Sequence, residues 1–285
     1  MYTTLITPAE LLKIQQRKQP LMVFDCSYEL MKPQEGDQQY LTIHIAGAQR
    51  ADLSRHLSAQ ADAPTASGGR HPLPTREQFA SWLAGLGFLP EMQAVVYDRQ
   101  NSSHCGRLWW MLKWVGHEHV AVLDGGLPAW QAAGGATEAG AASSSKPSAF
   151  AASPACAQLV TTDQVVRQLG RPEQTLVDAR AAQRFRGEVE PLDPVAGHIP
   201  GALNRPFNLN LTADGKFKPA EQLRAEFVEL LAGRDPATVV HQCGSGVSAI
   251  PNLLAMEIAG LGRTGLYAGS WSEWCRDPSR PMAQG

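Results

Sequence analysis

Thr7-Pro8-Ala9-Glu10-Leu11-Leu12 returns as Thr161-Thr162-Asp163-Gln164-Val165-Val166, displaced by 154 residues. Both stretches open with the Ser/Thr-x-x-Glu/Gln pattern of a capping box, in which side chains satisfy orphan amides at a helix start. Met22-Val23-Phe24-Asp25 answers Thr175-Leu176-Val177-Asp178, a buried strand ending in an acid. His44-Ile45-Ala46-Gly47-Ala48 answers His198-Ile199-Pro200-Gly201-Ala202. Val95-Val96-Tyr97-Asp98 answers Val239-Val240-His241-Gln242 at an offset of 144, which holds through Gly116 and Gly260, Gly125 and Gly269, and Trp130 and Trp274. Landmarks that keep their order over about 120 residues, with one change of spacing, are hard to obtain by chance. The chain is therefore expected to fold as two copies of one domain.

Within each copy, short apolar runs (21–24, 94–97 and 120–123) alternate with stretches of helical spacing (76–86 and 105–115). That alternation predicts an α/β fold, each copy a mostly parallel sheet with helices on both faces. The expected division is a first domain over 1–135, a linker over 136–155 and a second domain over 156–285. The linker runs through Ser143-Ser144-Ser145-Lys146-Pro147-Ser148 and is poor in large apolar residues. Trp109, Trp110 and Trp114, at helical spacing, and Trp271 and Trp274, after a Gly-Ser turn, read as packing residues.

With 285 residues the chain has no need of disulfide staples. A formal charge of −2 gives no general attraction to nucleic acid or acidic membranes. Five cysteines, odd in number and irregularly spaced, argue for a reducing compartment. The opening residues lack the basic and apolar blocks of a secretion signal, and no apolar run is long enough to cross a bilayer, so a cytoplasmic protein is expected. His104-Cys105 and His117 with His119 are too scattered for a four-ligand metal site, and neither metal nor cofactor is expected. Cys26, Cys156 and Cys275 are expected to be inert, with Cys275 the one placed to be exposed and oxidisable.

The chemistry concentrates in Val239-Val240-His241-Gln242-Cys243-Gly244-Ser245-Gly246-Val247-Ser248. Two β-branched residues begin a short buried strand, and Leu253-Leu254-Ala255-Met256 continues at helical spacing, with Pro251 tolerable only in the first helical turn. Cys243 then falls at the carboxyl end of a strand, where ligands bind in such sheets. Gly244 and Gly246 let successive amides turn toward one centre, an anion-binding nest to which the helix dipole adds. Both effects favour thiolate over thiol and predict a nucleophilic Cys243. In the first copy the matching position is Arg99, without the glycine pair, and Cys105 comes six positions late on the following helix. The first domain is expected to support the site and to lend residues to it.

Together these residues resemble tandem-domain sulfurtransferases of the rhodanese superfamily. The carriers are Asp178-Ala179-Arg180 with Arg184-Phe185-Arg186-Gly187, Gly197-His198-Ile199-Pro200-Gly201-Ala202, the Cys243 loop, and Gly269-Ser270-Trp271-Ser272-Glu273-Trp274. The resemblance implies transfer of a sulfane sulfur through a Cys243 persulfide, from a small anionic donor to cyanide, a thiol or a thioredoxin-like acceptor. The amides of Gly244, Gly246, Val247 and Ser248 would stabilise the persulfide anion. Arg184 would hold the donor's carboxylate or sulfonate end, with Arg180 a second candidate. Asp178 would brace the cysteine loop.

The Cys-Gly-Ser-Gly-Val-Ser loop resembles that of mercaptopyruvate sulfurtransferases, which implies that Ser245 and His71 handle the donor's proton. The acid of that relay would fall at Ser54 or Asp52, and the second arginine of that pattern is absent between Arg186 and His198. Mercaptopyruvate is therefore the favoured donor on the loop alone, and thiosulfate stays open. Cell-cycle phosphatases of related fold need an arginine six residues after the cysteine; here that residue is Ala249. A persulfide-sensing or interaction module would fit a chain lacking the cysteine better than one that has it.

Overall fold

A computed structural model describes residues 1–142 and 146–285; Ser143, Ser144 and Ser145 of the expected linker lie outside the described residues. The chain forms two compact units. One comprises Met1–Pro64, Pro74–Cys156 and Ala213–Lys216, the other Thr65–Leu73, Ala157–Thr212 and Phe217–Gly285. Two short segments thus belong by packing to the unit opposite that of their sequence neighbours.

In the first unit the order is β1 (Leu5–Ile6), α1 (Pro8–Gln16), β2 (Leu21–Asp25), α2 (Glu35–Thr42), β3 (His44–Ile45), β4 (Gln49–Arg50), α3 (Arg76–Gly85), β5 (Gln93–Tyr97), α4 (Ser103–Trp114), β6 (Val120–Leu123), α5 (Gly126–Ala132) and β7 (Thr137–Glu138). The second unit runs β8 (Gln158–Leu159), α6 (Thr162–Arg167), β9 (Thr175–Asp178), α7 (Ala182–Phe185), β10 (Leu203–Asn204), α8 (Ala220–Leu231), β11 (Val239–Gln242), α9 (Ile250–Ile258), β12 (Gly265–Leu266) and α10 (Ser270–Trp274).

The main sheets are parallel and identical in order, β1-β6-β5-β2-β4 in one and β8-β12-β11-β9-β10 in the other. The central strands are buried from end to end, as expected where helices cover both faces. Thr7 accepts a hydrogen bond from the Glu10 amide and Thr161 from the Gln164 amide, and both capping boxes are closed by the return bond. The repeated His-Ile-x-Gly-Ala motif is a turn: Gly47 and Gly201 share φ +79°, a conformation L-residues avoid, and each turn delivers the edge strand β4 or β10. Trp130 and Trp274 are both fully buried in the corresponding core clusters, with Trp271 beside the second. Trp109, Trp110 and Trp114 are buried along α4, as their spacing predicts. Among the described residues, no helix is long and apolar enough to cross a membrane.

Candidate active site

Cys243 follows the last residue of β11, and α9 begins seven positions later with Pro251 in its first turn. The Cys243 amide donates to Ser270 Oγ at 3.1 Å, and its carbonyl accepts from Trp271 N at 3.0 Å. Ser270 is itself held at φ +55° and donates to Tyr267 O at 2.9 Å. Gly246 has φ +72°, and a Cβ there would lie 2.3 Å from Ala268 O, so only glycine lets the loop pass this backbone. Among the described residues, the amides of Gly244, Ser245, Val247 and Ser248 have no acceptor. Cys243 is 1% exposed.

The first unit shows what such a loop does with an anion, and it corrects the match to Arg99. Asp25 pairs with Tyr97 and Asp178 with Gln242, while Cys26 N donates to Tyr97 O and Ala179 N to Gln242 O. Asp98, not Arg99, therefore occupies the position of Cys243. A one-residue change in spacing, invisible in the Val-Val landmark, separates the two readings. The Asp98 carboxylate accepts the amides of Gln100 and Ser102 on one oxygen and of His104 and Cys105 on the other, at 3.1 to 3.2 Å. An anion at this strand end is thus gathered in by the loop and by the first turn of the following helix. Arg99 instead turns inward, donating to Asp25, Ser27 and the carbonyls of Gln39 and Ile43.

His71 Nδ1 lies 2.8 Å from Ser245 Oγ, and both residues are buried. The segment carrying His71 is fixed by α10: Arg70 N donates to Ser272 Oγ at 2.9 Å and Gly68 N to Glu273 Oε2 at 3.1 Å. Arg70 Nη1 pairs with Asp193 Oδ1 at 2.6 Å. Ser270, Ser272, Glu273, Arg70 and Asp193 are absent from the sequence-based set of site residues. The Gly-Ser-Trp-Ser-Glu-Trp motif was the signal available, since its polar members alternate with the two buried tryptophans.

Arg184 sits on the short helix α7, with Nε and Nη2 bound to Glu190 at 3.2 and 2.6 Å and Nη2 also 3.3 Å from Asp193. Its guanidinium nitrogens lie 3.6 and 3.7 Å from where a Gly244 Cβ would stand, so the cation borders the cysteine loop. Arg180 differs from expectation. Its side chain is 1% exposed, and its guanidinium is spread over Asp178, Glu190 and Gly197 O, with Trp271 stacked at 4.9 Å. Burial opposes its charge, but the Asp178 and Glu190 carboxylates and the neighbouring Cys243 together outweigh it and hold Arg180 above the usual arginine range. Arg180 is thereby committed to bracing, the place Arg99 fills in the first unit.

Asp178 also departs from its expected role. It accepts Arg180 N and the Arg180 guanidinium and takes no hydrogen bond from the cysteine loop among the described residues. Asp52 accepts Arg50 and the amides of Ser54 and Arg55, and Ser54 Oγ lies 2.7 Å from Tyr28 OH, so both are engaged within the first unit. Cys275 is 4% exposed, against the expectation of a reachable thiol, because α10 packs it into the core cluster. Burial raises its thiol above the ordinary range.

A duplicated parallel α/β unit in which Cys243 follows the central strand β11 and the amides of Gly244, Ser245, Val247 and Ser248 have no acceptor among the described residues defines a tandem rhodanese-type protein. The profile of the "Rhodanese-like domain" matches residues 7–133 and 161–277, and the chain belongs to that family. It is 46% identical to the "Probable 3-mercaptopyruvate sulfurtransferase" of Pseudomonas aeruginosa, over 98% of this chain and 100% of that one. It is 33% identical to the mitochondrial "Thiosulfate/3-mercaptopyruvate sulfurtransferase 1" of Arabidopsis thaliana, over 93% of this chain and 74% of that one. The solved 3-mercaptopyruvate sulfurtransferase of Leishmania major superposes with a TM-score of 0.81 at 32% identity, covering 96% of this chain and 74% of that one.

Proposed function

We propose that this protein is a sulfurtransferase that carries sulfur as a persulfide on Cys243, with 3-mercaptopyruvate as the favoured donor. The observation that carries the reading is the Ser245–His71 pair at 2.8 Å, two residues from a cysteine whose following amides at Gly244, Ser245, Val247 and Ser248 have no acceptor among the described residues. The Cys243 thiolate attacks the donor sulfur. The carbon–sulfur bond breaks, its electron pair passing to the methylene carbon as an enolate. The proton leaving the donor thiol passes through Ser245 and His71 to that carbon, giving pyruvate and a Cys243 persulfide anion. The loop amides stabilise the negative sulfur before and after transfer, as their counterparts hold the Asp98 carboxylate. A cyanide or thiolate acceptor, the latter free or on a thioredoxin-like protein, then attacks the outer sulfur and releases the Cys243 thiolate.

Arg184 binds the donor's anionic end, and Arg180 is kept as a brace. Cys243 is 1% exposed, so the donor reaches it only if surrounding side chains move. Thiosulfate is a second reading, supported by the fact that a planar guanidinium takes a sulfonate as readily as a carboxylate. Five free cysteines support a reducing compartment, the cytoplasm.

Incubation with each donor followed by intact mass measurement tests the assignment. The wild type gains one sulfur atom that cyanide removes, and Cys243→Ser gains none. His71→Ala should lower mercaptopyruvate turnover about 100-fold or more and spare thiosulfate. An equal loss with both donors would remove the relay, and no sulfur gain by the wild type would remove the function.

A further inference from the structure

Arg70 presents an unpaired guanidinium edge at the same loop position as Arg184. Its main chain is anchored to Ser272, and its Nη1 is taken by Asp193 Oδ1 at 2.6 Å with Leu192 O at 3.5 Å. Its Nε is buried and has no hydrogen-bond partner, and among the described residues nothing accepts from its Nη2. Nε and Nη2 form one flat edge of the guanidinium, the edge that meets both oxygens of a carboxylate. Nη2 stands 3.2 Å from the position of a Gly244 Cβ, closer than either terminal nitrogen of Arg184 at 3.6 and 3.7 Å. Asp193 touches both cations, Oδ1 on Arg70 and Oδ2 on Arg184, and so holds the two side by side next to the residue that follows Cys243.

We infer that Arg70 is a substrate-binding residue, its Nε/Nη2 edge taking the carboxylate of the sulfur donor while the Arg184 guanidinium takes the same group from the other side. The inference rests on the sulfurtransferase reading and adds to it a specificity determinant from a segment remote in sequence. A small 2-oxo carboxylate gripped by two guanidiniums over Gly244 carries its sulfur toward the neighbouring Cys243. A buried guanidinium N–H without an acceptor is a standing cost, which the ligand carboxylate offsets. Arg70, Arg180 and Arg184 are balanced by Asp178, Glu190 and Asp193, so removing the Asp193 charge should strengthen attraction for an anion while keeping Arg70 in place.

The test uses the full chain as wild type, Arg70→Ala, Arg70→Lys and Asp193→Asn. Steady-state kinetics with 3-mercaptopyruvate are compared with ligand-observed NMR binding of pyruvate, a carboxylate with no sulfur to transfer. Loading of Cys243 from inorganic polysulfide, which has no carboxylate, is followed by intact mass. Arg70→Ala should raise KM and the pyruvate Kd about 10- to 100-fold, as expected for a lost charge-assisted pair. Its kcat and polysulfide loading should stay near wild type. Arg70→Lys should recover only part of the binding, because an ammonium makes no two-point contact. Asp193→Asn should keep KM at or below the wild-type value. If Asp193→Asn and Arg70→Ala raise KM alike, or Arg70→Ala binds pyruvate as the wild type does, Arg70 is only the structural partner of Asp193 and the inference fails. If no form loads sulfur from any donor, the sulfurtransferase reading fails instead, and pyruvate binding still decides the role of Arg70.

Discussion

Alanine at Gly246 should cost both stability and sulfur loading, whereas alanine at Gly244 should cost donor affinity alone. At Gly246, φ is +72° and the new methyl would stand 2.3 Å from Ala268 O and 2.8 Å from Ala268 Cα. Ordinary contact needs about 3.5 Å, so roughly an ångström of overlap must be relieved. Ala268 cannot give way, because it is fully buried and follows Tyr267, whose amide is bound to His241 O at 2.9 Å. The loop must therefore move. The left-handed placement costs about 1–2 kcal/mol and overpacking about 1–3 more, which together lower Tm by on the order of 10 °C. Displacing donors aimed at a developing charge typically costs about 100-fold or more in rate. At Gly244 the nearest atoms to the new methyl are the guanidinium ends of Arg70 and Arg184, at 3.2 and 3.6 Å, where the donor is proposed to bind. Stability there should change by less than about 0.5 kcal/mol, as for substitutions that disturb no core or cap. Denaturant unfolding and the time course of sulfur gain by intact mass read both quantities. A Gly246→Ala protein that unfolds and loads like the wild type would refute the idea that this close backbone passage sets the loop.

Asp98→Ala should destabilise the first unit by about 3–5 kcal/mol, since four amides lose a buried charged acceptor. A loss under about 1 kcal/mol in denaturant unfolding would show that the loop does not depend on its carboxylate. His241 is fully buried, and that burial depresses it to about 3. The unfolded chain takes up this proton near pH 6.5 and the fold does not, so the stability contributed is complete above 6.5 and lost progressively as pH falls toward 3, by about 1.4 kcal/mol per unit. His241→Leu should flatten the decline in stability between pH 6 and 5 by that slope; parallel curves for the two proteins would contradict it.

The features legible in the sequence are those in which local chemistry and burial agree. The capping boxes at Thr7 and Thr161, Pro251 in the first turn of α9 and the strand-end position of Cys243 each follow from a residue and its near neighbours. What escaped depends on side-chain reach across the chain. Ser270 meets the amide of Cys243 across 27 residues, and Ser272 meets that of Arg70 across 202. Spacing could not tell Arg180 from Arg184, which sit four positions apart and differ in burial: one is enclosed by Asp178, Trp271 and Gly197 O, the other reaches the loop. The one-residue slip that set Arg99 against Cys243 has the same origin, because only the hydrogen bonds between strands fix the register.

The two loops answer one electrostatic requirement in different ways. In the first unit the strand-end residue is an acid, its four hydrogen bonds are formed permanently, and the helix start is capped by a charge that cannot leave. In the second the same position holds a sulfur, and four loop amides are left without a protein acceptor among the described residues. A permanent carboxylate would satisfy those amides and end the chemistry. A sulfur that is negative as thiolate and negative again as persulfide satisfies them at both ends of the proposed transfer while staying free to react. On this argument the duplication supplies its own control, in which the scaffold demands an anion at the strand end and the identity of one side chain decides whether that anion is structural or reactive.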